Sequence, residues 1–123
     1  NAIRRCRSIF ENSSKLYRVN VQGKEVQIPL KDILYFEAGR HVTLIHTLTD
    51  TISVTKVLSG VCEDFEQNPE FIKVGRSYLV NRLYVRSVTQ TDIEMMNSVI
   101  IPIPVRLQRE IRQQLTSNIF SKT

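Results

Sequence analysis

The chain has 123 residues with 41% hydrophobic and 24% charged residues, enough for one core and too few for two independent domains. No apolar run approaches the ~20 residues needed to span a bilayer, so contact with a membrane is not expected. The formal net charge is +5, but Arg4, Arg5, Arg7, Lys15 and Arg18 stand against Glu11 alone in the first 18 residues. The rest is nearly neutral, and its charge is polarised instead: Glu63, Asp64, Glu66 and Glu70 precede the basic stretch Lys73, Arg76, Arg82 and Arg86.

The chain opens Asn-Ala without an initiator methionine and is expected to be a piece of something longer. Asn1 and Ala2 are read as a cloning remnant and residues 1–15 as a tail or linker, leaving 16–120 as the folded domain. Tyr17, Val19 and Val21 alternate with polar residues up to Gly23-Lys24, and Val26, Ile28 and Leu30 repeat the alternation, which predicts a hairpin. Pro29 belongs at an edge or strand end because it has no N–H to give a ladder. Ile33, Leu34, Tyr35 and Phe36 form a short apolar run, expected as a more deeply buried strand followed by a loop over 37–41. Val42, Leu44, Ile45 and Leu48 form the next strand, and Thr51 to Val54 return as a second hairpin, rich in β-branched residues.

From Thr55 the period changes. Val57, Leu58, Val61, Cys62 and Phe65 fall at helical spacing, with Thr55 as the expected N-cap and Pro69 as the stop. Phe71 to Arg86 then carries four cations and no anion. Ile72, Val74, Tyr78, Val80, Leu83 and Val85 are its expected buried residues, with the cations facing outward along a rigid basic edge. Strands follow at 87–90, 93–96 and 99–103, separated by turns at Thr91-Asp92 and Asn97-Ser98. Val105, Leu107, Ile111, Leu115 and Ile119 then mark a C-terminal helix opened by Pro104. The fold class is therefore mainly β: packed antiparallel hairpins in an elongated sandwich, with one internal helix and one C-terminal helix.

Little in the chain points to catalysis. The two histidines, His41 and His46, are an odd number of residues apart and fall on opposite strand faces, which disfavours a shared metal. The four glycines, Gly23, Gly39, Gly60 and Gly75, match no phosphate-binding spacing. Cys6 and Cys62 lack CxxC spacing and suit a reducing cytoplasm, with Cys62 as a small apolar helix residue and a Cys6–Cys62 disulfide as the alternative. The carboxylates around the helix are explained by a solvated face. A binding module without cofactor or metal is expected, not an enzyme.

The order of Ile33-Leu34-Tyr35-Phe36-Glu37, a hairpin, a helix, the segment Phe71-Ile72-Lys73-Val74-Gly75-Arg76-Ser77-Tyr78-Leu79-Val80-Asn81, and Ile101-Pro102-Ile103-Pro104-Val105-Arg106 resembles the LytTR domain of bacterial transcription regulators, over roughly residues 17–115. The resemblance implies a double-stranded DNA-binding module that inserts loops into successive major grooves of a direct-repeat promoter site. It also implies an upstream regulatory domain that controls pairing of two modules, acting in the cytoplasm. Carried over, the base-contacting positions are Arg40 or His41, Arg76 and Arg106, with Arg109 one turn beyond. Lys73, Arg82 and Arg86 would hold phosphates. Many similar sequences have histidine where Gly75 stands and serine where Pro104 stands.

The residue chemistry is compatible with those roles. An arginine fork takes guanine O6 and N7 together, at about 1–3 kcal/mol of discrimination per good pair, and a helix start favours phosphate. The rival for each arginine is a solvated or ion-paired surface residue. For Asn81, between buried apolar residues, a structural hydrogen-bonding role is expected. At the level of the domain, the alternative is a protein-interaction module using exposed strand edges and the C-terminal helix. An RNA-binding sheet is disfavoured because Tyr35, Phe36 and Tyr78 sit in apolar runs.

Overall fold

The computed structural model describes residues 15–120, with side chains described as far as Leu115. The tail assigned to residues 1–15, apart from Lys15, lies outside that range, as do Cys6 and the side chain of Ile119. The first hairpin pairs β1 (Leu16–Val21) with β2 (Lys24–Pro29). Gln22 and Gly23 both take positive φ in its two-residue turn, the twist that matches flanking antiparallel strands. Pro29 ends β2, where no ladder N–H is needed.

A five-stranded antiparallel sheet forms the middle of the molecule. Its order is β5 (Thr51–Val54), β4 (Thr43–Thr47), β3 (Ile33–Ala38), β7 (Tyr78–Asn81), β6 (Phe71–Val74). The apolar run Ile33–Phe36 is thus the central strand, paired on both sides. A bulge between Ile33 and Tyr35 breaks the alternation. Leu34 and Tyr35 consequently share one face while Ile33 and Phe36 share the other.

Both faces are covered. The β1–β2 hairpin and helix α1 (Leu58–Asp64) pack on the first face, around Ile33, Phe36, Ile45, Val61 and Phe65. Phe36 meets the rings of Tyr17, Phe65 and Phe71 at centroid distances of 5.8, 5.3 and 5.9 Å, the separations at which aromatic pairs add to simple burial. On the second face lie a three-stranded sheet, β8 (Val85–Val88), β9 (Asp92–Met95) and β10 (Ile100–Pro102), and helix α2 (Gln108–Phe120). They enclose Val74, Val80, Ile93, Met95, Ile101, Ile111 and Leu115. Each such side chain, fully buried, stabilises by about 1.5–3 kcal/mol.

Several boundaries differ from the sequence expectation. β3 runs on through Glu37 and Ala38, because both find partners across the sheet in Leu44 and Thr43, so the loop is confined to 39–42. Leu48 is exposed rather than buried in β4. The strand stops at Thr47, whose hydroxyl accepts from the backbone N–H of Asp50 at 3.0 Å and donates to its carbonyl at 2.9 Å, tying the turn. Helix α1 starts later than expected and Thr55 does not cap it: the N-cap is Val57, with no side-chain bond. The buried Thr43 hydroxyl donates to the Lys56 carbonyl at 2.5 Å, holding the approach to the helix to the sheet.

The stretch 71–86 is not one edge: it holds β6, a hairpin turn, β7, a 3-10 turn and the first residues of β8. Leu83, expected in the core, is exposed on the short 3-10 turn Arg82–Tyr84 that carries the chain from the central sheet to the second. Asn81 is a structural residue, as its setting implied: its amide donates to the Ile33 carbonyl at 2.8 Å, and its side-chain oxygen accepts from the Leu83 N–H at 3.0 Å. At the C-terminus, Val105–Leu107 is a 3-10 turn and the α-helix begins at Gln108. Val105 therefore points into solvent rather than onto the core.

Candidate nucleic-acid interface

Two contacts gather three distant segments at one end of the central sheet. At the end of β3 the Ala38 N–H donates to the Ser77 carbonyl at 2.8 Å, which sets the 39–42 loop beside the β6–β7 turn. Gly75 in that turn lies against Pro104, so closely that a Cβ at position 75 would stand 2.9 Å from Pro104 Cγ. The segment leading into α2 is thereby joined to the same end. Arg40 and His41 stand on the first segment, Arg76 on the second and Arg106 on the third, all exposed. The positions resemblance had marked at Gly75 and Pro104 are thus in direct contact.

The local backbone explains how each cation is presented. Gly39 donates its N–H to the Val42 carbonyl at 2.9 Å and comes within 2.8 Å, measured to the Cβ it lacks, of Val42 Cγ2. This tight closure turns Arg40 and His41 outward, with His41 at φ 64°. Gly75 takes φ 68°, a conformation glycine adopts without Cβ strain, and Arg76 follows it at the tip of the hairpin. Arg106 sits on the 3-10 turn after Pro104, which offers no side-chain oxygen as a cap. Arg109 is exposed on the first turn of α2.

Charge pairing separates the cations into two groups. Arg40, Arg76, Arg106 and Arg109 reach no carboxylate among the described residues, whereas Arg82 bonds Glu70 at 2.6 Å and Arg86 lies 3.9 Å from Glu94. Arg82 also sits at the other end of β7 from Arg76, a strand's length of about 13 Å away. Its side chain is only 23% exposed, as is that of Glu70. The expected outward-facing role does not hold for Arg82: a carboxylate already occupies its fork. Lys73 is exposed on β6, near Cys62 on the α1 side of the sheet, and Arg86 is exposed on β8.

The structure also brings up residues that the sequence reading passed over. Next to Arg109, an open hollow of about 560 Å³ is lined by Gln90, Val105, Gln108, Arg109, Arg112 and Gln113. Gln90 arrives there on the β8–β9 turn, which is tied to the α2 approach by the Ile103 N–H donating to the Thr91 carbonyl at 2.8 Å. Nothing in the sequence pattern links Gln90 to a helix some twenty residues on. Arg112 was discoverable, since it follows Arg109 at helical spacing.

The other polar groups have local explanations. His46 lies on β4, bonded to Glu37 at 2.8 Å and stacked on Tyr35 at 4.3 Å, while His41 stands outside the strand. Burial, and then the charge of Glu37, push the phenols of Tyr35 and Tyr78 up, so both remain neutral. Asp64 accepts from Tyr17 at 2.7 Å and from Lys56 at 2.6 Å. Burial pushes the Cys62 thiol up against the opposing charge of Lys73, which disfavours its thiolate. Among the described residues no cluster of His, Cys, Asp or Glu is arranged to hold a metal ion, and no helix is long and apolar enough to cross a membrane.

Comparison with known proteins agrees with this fold. The LytTr DNA-binding domain family matches residues 23–116. No curated protein matches the chain. Among solved structures, a LytTr DNA-binding domain from Bacillus cereus, named as that of a methyl-accepting/DNA response regulator, superposes with a TM-score of 0.66 at 19% identity. The match covers 83% of this chain and 97% of that one, so the two share a fold over nearly the whole of the smaller chain. The family match spans both core faces and all three converging segments, and the chain belongs to the LytTr DNA-binding domain family, a family of DNA-binding modules of transcription regulation.

Proposed function

We propose that this domain reads promoter DNA through the three segments at the end of the central sheet. In this reading Arg76 and Arg106 contact base edges in successive major grooves, Arg40 or His41 contacts a third position, and Arg109 extends the Arg106 contact. The single observation that carries it is the convergence itself, fixed by the Ala38–Ser77 bond and the Gly75–Pro104 contact. The tied turns hold the backbone beneath these arginines in place, so binding orders their side chains alone. Lys73, exposed, contributes sequence-independent attraction to phosphates, and Arg86, exposed but 3.9 Å from Glu94, adds to it more weakly. Arg82 is left out of the interface because Glu70 holds it.

The wider reading is that of a cytoplasmic output module. An upstream regulatory domain, joined through the residues before 16, governs pairing of two modules on a direct-repeat site. The domain works by binding and not by catalysis. Arg76→Ala and Arg106→Ala should each weaken binding to a cognate promoter duplex by about five- to a hundred-and-fiftyfold, from the 1–3 kcal/mol of a bidentate base contact, with thermal unfolding nearly unchanged. Equal losses on promoter and random duplex would exclude base reading at that position. Footprints one helical turn apart on a natural promoter would support paired modules, and a single isolated footprint would not.

A further inference from the structure

We propose that Gly75 and Pro104 form a steric pair that sets the spacing between the Arg76 and Arg106 segments, and so restricts the operators both arginines read at once. This rests on the base-reading role proposed above for those two arginines. Gly75 is buried although it lies in a hairpin turn, and what covers it is the Pro104 ring. A Cβ at position 75 would lie 2.9 Å from Pro104 Cγ, closer than side chains pack, with Cδ in ordinary contact at 3.5 Å. Neither partner yields readily. The turn holds Gly75 at φ 68°, and the pyrrolidine ring locks Pro104 near φ −54°.

The contact also sits on the shortest route between the two arginines. Arg76 is the next residue after Gly75, and Arg106 is two residues beyond Pro104. Bidentate recognition tolerates displacements of only about 0.5 Å. Moving a Cβ from 2.9 Å out to ordinary carbon contact at about 3.5 Å takes a shift of about 0.6 Å, which exceeds that tolerance and passes into the register of both guanidinium groups. The pair acts through the arginines and touches no base, which makes Gly75 and Pro104 positioning residues.

The test is a two-by-two set, Gly75→Ala, Pro104→Ala and the double variant. Each is measured by thermal unfolding without DNA and by equilibrium binding to a promoter duplex and a random duplex of equal length. Gly75→Ala is expected to lower the promoter-to-random affinity ratio about tenfold and Pro104→Ala about threefold, while the double variant falls by clearly less than the product of the two, because loss of the ring relieves the clash and leaves only the strain of an alanine at positive φ. Pro104→Ala adds no strained residue, and its smaller loss gives a reading even if Gly75→Ala unfolds. Additive losses in the ratio would overturn the inference, as would a coupled change in melting temperature with an unaltered ratio, which would make the contact packing alone. Arg76→Ala and Arg106→Ala run alongside keep the two ideas apart. If they lower the ratio while the 75/104 effects simply add, the steric pair fails and the base-reading role stands.

Discussion

Arg82→Ala separates a structural cation from a DNA-binding one. Arg82 Nη2 stands 2.6 Å from Glu70 Oε1, both side chains are 23% exposed, and the Arg82 N–H donates to the Glu70 carbonyl at 2.7 Å. At an effective dielectric of about 20, unit charges some 4 Å apart attract by about 4 kcal/mol, and desolvation with lost side-chain freedom offsets most of that. A net loss of about 1–2 kcal/mol is expected when the arginine is removed, since the backbone bond survives and Glu70 keeps some access to water. For a domain of this size each kcal/mol lowers the melting temperature by about 4–8 °C. Thermal unfolding and binding titrations at several salt concentrations, on wild type and variant, measure both consequences. The expected result is a lower melting temperature with an unchanged log–log salt slope for DNA binding. A phosphate contact would give the reverse, a slope reduced by about 0.9 with an unchanged melting temperature, and that result would refute the argument from pairing.

Asn81→Ala leaves the Ile33 carbonyl and the Leu83 N–H without their partners and is expected to cost about 3 kcal/mol in urea unfolding. Asn81→Asp keeps the acceptor for Leu83 but places a buried carboxyl against the Ile33 carbonyl, which raises its folded pKa. Relative to wild type, this variant should be least destabilised below about pH 4, where the acid is protonated and can donate, and progressively worse as pH rises; a pH-independent deficit would exclude the mechanism. For Asp64 the sign is opposite. Burial pushes its carboxyl up, but the hydrogen bonds from Lys56 and Tyr17 and the Lys56 charge outweigh that and hold it below the ordinary range. Its contribution is present above about pH 4 and lost as pH falls through the depressed value. Lys56→Met should make the acid-side fall in urea midpoint shallower, and an identical acid profile would show that Lys56 does not set it.

Local chemistry wrote much of this molecule into its sequence. The first hairpin follows from period-two alternation on either side of Gly23-Lys24, with the turn itself one residue earlier at Gln22-Gly23, the central strand from the unbroken run Ile33–Phe36, and both helices from apolar spacing. Those signals are carried by neighbours in the chain, so a window of ten residues contains them. The likeness around Arg76-Ser77-Tyr78-Leu79-Val80-Asn81 identified the family for the same reason: it is a contiguous string. Boundaries were less legible where a side chain from elsewhere intervenes, as Thr43 does at Lys56.

The tertiary structure decided which cations share a surface. Arg76 and Arg82 are six positions apart and look alike in the sequence, yet a four-residue strand puts them at opposite ends of the sheet, and Glu70 then engages only the second. Arg40, Arg76 and Arg106 are far apart in the chain and are gathered by one backbone bond and one glycine–proline contact. Pairing of strands that are distant in sequence sets those separations, and a residue's own type and neighbours carry no record of which strand will lie beside it.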